Sequence, residues 1–383
     1  MSDTANKALL PTGLRDVLPP DAALEAVAVN RLLGVFAAHG YDRVKPPLIE
    51  FEESLLDGVG AVTTKDTFRV MDPLSQRMMG VRADMTIQVA RIATTRMVRH
   101  PRPLRLCYAG QVLRVKGSQL RPERQFTQAG IELIGADTPV ADAEVIGMVI
   151  RALDAVGVRD VSVDLMLPPL VPAMCDALQL SPEARRTLRD ALDQKDAAAV
   201  KAMGGDVAGV FGVLLGCIGE AEEVLSRLQA MDLPAAAAQR RDTLAEVIAL
   251  VREEHPAATL TIDPVEYRGF EYHTGVSFSV FSRGVSGELG RGGRYRAGEA
   301  QERAVGATLS VDAVTEAMEP LSSGPRVLLS VKDRLLAGRY QTDGWVTLNA
   351  LQDPQDFAAE ARRLGCSHYS VGGDLHAIND KQG

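Results

Sequence analysis

The chain has 383 residues, 46% hydrophobic and 24% charged, with 42 Lys plus Arg against 50 Asp plus Glu and a formal net charge of −8. That is an ordinary folded composition long enough for two or three domains, and its charge argues against coating nucleic acid by bulk attraction, though not against a local basic groove. No stretch approaches the roughly 18 apolar residues of a membrane span, and residues 1–20 lack the apolar core of a secretory signal. The four cysteines (Cys107, Cys175, Cys217, Cys366) are scattered without a C-x-x-C pair. A zinc site or disulfide framework is therefore not expected, and a reduced, cytoplasmic protein is.

Residues 1–20 read as an extended arm, and Pro19-Pro20-Asp21 opens a helix whose stripe is Leu24, Ala28, Leu32, Val35 and Phe36 and whose stop is Gly40. Tyr41 to Phe51 reads as extended chain broken at Pro46-Pro47. Short strands follow around the turn Asp72-Pro73, then a helix from Asp84 to His100 with its start near Asp84 and Thr86. Leu104–Lys116 and Phe126–Ile134 read as an antiparallel pair joined by the basic loop GSQLRPERQ. A helix begins at Thr138-Pro139, and Val161–Leu165 is a strand. From about 174 to 256 beta-branched alternation vanishes, which predicts an all-helical insertion, with Ser181 capping and Pro182 at the first position of one helix. Strands return at Leu260–Asp263, Tyr267–Phe281 and Ala304–Val311, with a helix at Asp312–Leu321. Ser322-Ser323-Gly324-Pro325 reads as a linker. The fold class is α+β: a mostly antiparallel sheet core flanked by helices over residues 1–320, carrying the insertion, and a small α/β tail at 326–383.

Four clusters carry chemistry. Gln128 and Glu132 lie four apart on one strand, on the face opposite Ile131 and Leu133, with Arg114 near the end of the neighbouring strand. Such a polar pair on a central strand needs partners, and an ammonium or imidazole ligand would supply them; the other reading is a solvated sheet face. In YRGFEYHTG, a strand would put Arg268 and Tyr272 on one face and Glu271 and His273 on the other. GELGRGGRYRAG fits neither G-x-x-x-x-G-K-[ST] nor a dinucleotide fingerprint, and taken alone is a hairpin with close backbone approach. Arg114, Lys116, Arg121 and Arg124 form a basic cluster suited to phosphate or RNA, or an exposed basic hairpin.

Together these segments resemble a class II aminoacyl-tRNA synthetase core, specifically histidyl-tRNA synthetase. GLRDVLPP resembles its entry segment, and YDRVKPPLIEF sits where its motif 1 proline falls. VRADMT is similar to R-P-E-x-T, with Asp84 in place of Glu. YAGQVLRVKGSQLRPERQFTQAGIELIG aligns with motif 2, YRGFEYHTG with the histidine-binding signature and GRGGRYRAG with G-G-G-R-Y-D-G, covering about residues 8–320. Three departures stand out. Lys116 replaces the motif 2 Glu. GATLSVDAV puts Asp312 and Ala313 where motif 3 has Glu-Arg, so the arginine that clamps ATP phosphates is missing. Only residues 326–383 remain where the family carries an anticodon-binding domain of ordinary size.

A synthetase core with a histidine pocket, a broken ATP site and no tRNA-reading domain resembles the regulatory-subunit family of ATP phosphoribosyltransferase. The resemblance implies a non-catalytic subunit that activates a short-form catalytic subunit in the first step of histidine biosynthesis and takes part in feedback inhibition by L-histidine. It implies a hetero-oligomer, and a homodimer through the synthetase-like core. It suggests that Asp84, Thr86, Gln128, Glu132, Tyr272 and His273 line the pocket and that Arg114 and Arg268 face the ligand carboxylate; no cofactor or metal is expected. The competing readings are a truncated enzyme that adenylates histidine, kept open by Arg114 and Arg268, and an RNA-binding or scaffolding module, supported by the 114–124 loop alone.

Overall fold

The computed structural model describes residues 9–55, 65–117, 121–267, 272–322 and 324–378. Arg268 and Glu271, both named from the sequence, lie outside the described residues. The chain divides into two compact units, Met1–Glu319 and Pro320–Gly383.

The first unit is built on a nine-stranded sheet in the order β1-β5-β6-β12-β11-β10-β7-β9-β8. Its strands are β1 (Asp42–Arg43), β5 (Leu104–Leu113), β6 (Gln125–Ile134), β7 (Val161–Met166), β8 (Gly219–Glu220), β9 (Thr259–Asp263), β10 (Ser277–Ser282), β11 (Gly290–Ala297) and β12 (Glu302–Ser310). A separate sheet joins β2 (Ile49–Phe51), β4 (Met78–Val81) and β3 (Phe68–Met71). The expected antiparallel pair is β5 with β6, in the register Tyr108↔Gly130 and Gly110↔Gln128. On β6 the two faces diverge as the alternation requires. Ala129, Ile131 and Leu133 enter a core with Leu32 and Phe36 of helix α1 (Asp21–Ala38) and Val145, Met148 and Val149 of α4 (Pro139–Ala155). Thr138 caps α4 by accepting from the Ala141 amide. The even positions face the other way, toward the functional cavity.

The helical insertion has a topological reason. Strands β7 and β9 pair in parallel, and parallel neighbours cannot be joined by a hairpin; they need a crossover. That crossover is α5 (Leu170–Ala177), α6 (Pro182–Asp193), α7 (Ala197–Ala202), α8 (Gly205–Leu215), α9 (Ala221–Gln229) and α10 (Ala235–Glu254). Ser181 accepts from the Ala184 amide and Pro182 begins α6, as the sequence predicts. The insertion is not wholly helical, since Gly219–Glu220 contribute β8 to the sheet.

Three other readings need correction. The helix expected from Asp84 to His100 is α3 (Thr86–Arg91) followed by a π turn, Ile92–Arg96. There the Thr94 and Thr95 hydroxyls donate back to the Ala90 and Arg91 carbonyls, competing with the ladder. The helix at Asp312–Leu321 is α11 (Val311–Ala317), with Pro320 soon after its end. Of the strand expected at Tyr267–Phe281, the described residues form strand only at Ser277–Ser282. Gly275 lies against Arg294, where a Cβ would sit 2.9 Å from Cδ.

Arg294 of β11 anchors that region. It bonds the Ala136 and Thr138 carbonyls, both at 2.9 Å, and pairs with Asp137 at 3.0 Å and Asp142 at 2.8 Å. Burial pushes the Asp142 carboxyl up to about 6 despite its cation.

The second unit has a four-stranded sheet in the order β14-β13-β15-β16: β13 (Arg326–Leu329), β14 (Val346–Asn349), β15 (His368–Val371) and β16 (Asp374–Ala377). Helix α13 (Phe357–Arg363) follows α12 (Ala337–Thr342), and its Phe357 and Ala361 pack with Leu328, Leu348, Cys366 and Tyr369. Buried Asp333 accepts from Ser370 Oγ at 2.8 Å and from the Gly373 amide at 3.1 Å. Among the described residues no helix is long and apolar enough to cross a membrane.

Arg294→Ala leaves Asp142 buried without its cation, an arrangement that costs about 3–5 kcal/mol. Urea unfolding should show a loss of that size, whereas a change below about 1 kcal/mol would mean that water replaces the guanidinium.

Candidate functional site

A cavity of about 590 Å³ opens on the face of the sheet opposite α1 and α4. Asp84, Thr86, Arg114, Gln128, Glu132, Tyr272 and His273 all line it. These are all the residues that the resemblance assigned to the ligand pocket except Arg268, which lies outside the described residues.

The inner end is built around Glu132, which is 1% exposed. Tyr295 on β11 donates to its Oε2 at 2.8 Å, and Tyr108 on β5 to its Oε1 at 3.2 Å. The Tyr108 hydroxyl also shares a hydrogen bond with Thr308 of β12 at 2.8 Å and with Thr86 at 3.2 Å. Burial pushes the Glu132 carboxyl up to about 8; the Tyr295 hydrogen bond opposes this and Asp84 adds to it. Two glycines make the room. A Cβ at Gly306, directly across from Glu132 in the register, would collide with Glu132 Oε2, and one at Gly130 would collide with the Tyr108 hydroxyl.

Beside this group, Asp84 and Gln128 form a locked pair. Gln128 donates to Asp84 Oδ2 at 2.9 Å and accepts from the Met85 amide at 3.0 Å, while Asp84 Oδ1 accepts from the Thr86 amide at 2.8 Å. An acidic and an amide oxygen are thereby fixed where α3 meets β6. The Tyr272 and His273 rings pack against each other with centroids 4.0 Å apart, tilted by 33°. A strand would have put them on opposite faces; both line the cavity because the backbone there is not extended. The solvated-face reading of Gln128 and Glu132 fails, since both are buried.

The outer end has a different character. Asp312 lines it, and burial followed by the nearby Glu25 raises its carboxyl to about 6, with Glu123 adding to the effect. Ala313 is fully buried in the core and offers no charge. Lys116 is exposed. Arg114 donates to the Ala83 carbonyl at 3.3 Å and lies over the Phe126 ring. Of the supposed RNA-binding cluster, Arg121 bonds Glu316 and the Ser286 carbonyl, and Arg124 bonds the Thr12 and Arg114 carbonyls. Two of its cations are thus engaged by their own chain rather than displayed. Among the described residues no group of three or more His, Cys, Asp or Glu is placed to hold a metal ion.

Sequence reading missed Tyr108, Tyr295, Thr308, Glu288 and Arg291, which complete this site or its wall. Arg291 and Gly293 alternate with Tyr295 along β11, and Arg291 pairs with Glu288 at 2.7 Å. The period-two spacing was available in GRGGRYRAG, but nothing in that stretch says which strand lies across from it.

A family profile describing histidyl-tRNA synthetase matches residues 13–314. Proteins named ATP phosphoribosyltransferase regulatory subunit are similar over nearly the whole chain. The one from Paramagnetospirillum magneticum is 56% identical, covering 96% of this chain and 97% of its own length. The one from Rhodospirillum rubrum is 55% identical, covering 95% and 96%. Among solved structures, a protein from Bacillus halodurans titled as an ATP phosphoribosyltransferase regulatory subunit/histidyl-tRNA synthetase superposes with a TM-score of 0.79 at 22% identity, over 93% of this chain and 96% of its own. Histidyl-tRNA synthetase from Nostoc sp. PCC 7120 superposes with a TM-score of 0.79 at 17% identity, over 96% and 92%. The two superpositions establish the class II synthetase fold.

Because Glu132 binds its proton more tightly when folded, the folded chain keeps a proton between pH 4.5 and about 8 that the unfolded chain has released. Stability therefore falls as pH rises through that window, by at most about 1.4 kcal/mol per pH unit. Glu132→Gln should remove this slope, so thermal melts at about pH 5 and pH 8 should show the variant gaining on the native chain as pH rises; a constant difference would contradict the assignment. Gly306→Ala should cost about 1–3 kcal/mol in denaturant unfolding by overpacking against Glu132.

Proposed function

Because this chain belongs to the family of ATP phosphoribosyltransferase regulatory subunits, we propose that it performs no adenylation and works by binding L-histidine in the cavity. In this reading the bound histidine biases a short-form catalytic subunit that condenses ATP with phosphoribosyl pyrophosphate. The free chain activates that partner; histidine opposes the activation by binding one conformation of the assembly better than another. A homodimer through the synthetase-like core, expected from the resemblance, belongs to the same proposal.

The observation that carries this reading is the split character of the cavity. Its inner end presents groups that suit an amino acid with an imidazole side chain. The Asp84 carboxylate and Thr86 hydroxyl suit the ammonium group, with Gln128 holding Asp84 in place. A Glu132 carboxyl that retains its proton has both a donor and an acceptor, the complement of a neutral imidazole with one nitrogen of each kind. Tyr272 and His273 wall the ring, and Arg114 and Arg268 are assigned to the carboxylate. The outer end lacks the motif 3 arginine that the resemblance leads one to expect. Fixed cations are the main stabilisers of phosphate charge in nucleotidyl transfer; here position 313 is a core alanine and position 312 a carboxylate.

The test is phosphoribosyl-ATP formation by the short-form catalytic subunit from the same organism, with and without this chain and with histidine titrated in. The chain should raise the rate and histidine should suppress it. Asp84→Ala or Gln128→Ala should weaken the histidine response roughly 10- to 100-fold, the worth of a hydrogen bond to a charged group, while activation without histidine persists. An unchanged response would move the effector elsewhere, and histidine-dependent ATP–pyrophosphate exchange would make the chain an enzyme.

A further inference from the structure

Among the described residues, no strand pairs with the outer side of β16, the last strand of the second unit. Strand β16 pairs with β15 and stands at the end of the sheet order, and all four of its residues are exposed. Sheet edges are normally blunted by very short strands, charged side chains (lysine above all), proline, a bulge or a covering segment. Asp374-Leu375-His376-Ala377 contains neither lysine nor proline, and its register with β15 runs unbroken from Val371↔Asp374 to His368↔Ala377.

The hydrogen-bond alternation fixes what that edge offers. The Ile378 amide donates to the Ser367 carbonyl at 2.8 Å. In an antiparallel pair every second residue turns its N–H and C=O toward the same neighbour. His376 and Asp374 therefore face β15, while Leu375 and Ala377 turn their backbone groups outward. Leu375, 42% exposed, stands at the middle of the free edge.

We propose that β16 is a self-association edge: two copies of this chain pair β16 to β16, antiparallel, about a two-fold axis through Leu375, making one continuous eight-stranded sheet of their second units. Leu375 meets its counterpart as a hydrogen-bonded pair. Asp374 then lies opposite His376 of the second copy, and His376 opposite its Asp374, in the non-hydrogen-bonded pairs where side chains come closest. Charge complementarity selects this register. Sliding by one step while keeping the outward groups matched puts Asp374 opposite Asp374, two carboxylates that repel, or His376 opposite His376, which leaves both imidazoles without their carboxylate partners. The His376 ring is already held by stacking on Tyr369, centroids 4.9 Å apart, on the face where the opposite Asp374 arrives. The pairing needs neither the cavity nor its ligand.

Cysteine trapping in the full-length chain reads the contact directly, since Cys107, Cys175, Cys217 and Cys366 are all buried. In the double variant Asp374→Cys/His376→Cys the new sulfurs of opposite copies face each other. In Asp374→Cys alone they sit two positions out of register, with Cα atoms beyond the roughly 7 Å that a disulfide spans. Mild oxidation should convert most of the double variant to a covalent dimer on a non-reducing gel, at least tenfold more than the single variant; equal trapping in both overturns the proposal. In a second arm, Asp374→Lys and His376→Glu are each expected to weaken self-association at micromolar concentration by sedimentation, and a one-to-one mixture to restore it. Association that is the same for the native chain, both variants and their mixture also overturns it.

Discussion

A carboxyl group sunk into the middle of the main sheet sets the terms for much of this molecule. Glu132 is 1% exposed on β6, an interior strand of that sheet. A buried acid of this kind is tolerated only if it is neutral or fully bonded. The chain does both: burial lifts the carboxyl toward its protonated form, and Tyr108 and Tyr295 bond its two oxygens. The neighbouring strands have adapted. Gly130 and Gly306 interrupt otherwise well-filled strands because a methyl group at either would meet the tyrosine or the acid.

The same sheet face shows how a binding site is separated from a catalytic one. The Asp84–Gln128–Thr86 arrangement at the start of α3 has every hydrogen bond needed to hold its shape. A few residues away, α11 presents Asp312 toward the cavity and tucks Ala313 into the core. Nothing about the fold changes between the two ends. Recognition of a small amino acid relies on donors and acceptors carried by β5, β6, β11 and β12, whereas a polyphosphate needs concentrated positive charge. In the proposed reading, Asp312 and Ala313 leave the outer end without a cation at these two positions, while the inner end keeps its hydrogen bonds.

The helical crossover and the second unit are additions of different kinds. The crossover is forced by topology, because β7 and β9 run in parallel and a chain of helices is the ordinary way to return. The second unit has its own small core around Leu328, Ala361 and Cys366 and its own open edge. It stands in the sequence where the resemblance leads one to expect a larger tRNA-reading domain, and β16 ends its sheet.

By itself the sequence determined the order of elements, the antiparallel β5–β6 pair, the caps at Thr138 and Ser181, the helical character of the insertion and most of the cavity wall. These are readable because they depend on local periodicity and on residues near one another in the chain. The four-residue spacing of Gln128 and Glu132 set them on one face, and the structure buries that face. Tertiary structure decided what lies across from each residue. Tyr108, Tyr295, Gly306 and Thr308 become partners of Glu132 or of one another only when β5, β11 and β12 are laid beside β6, and no local pattern encodes that register. It also overrode two extrapolations. The approach to β10 is not a strand, so Tyr272 and His273 meet on the same side, and the basic hairpin spends Arg121 and Arg124 on its own chain. Alternation tells which side a side chain takes; only long-range pairing tells what it finds there.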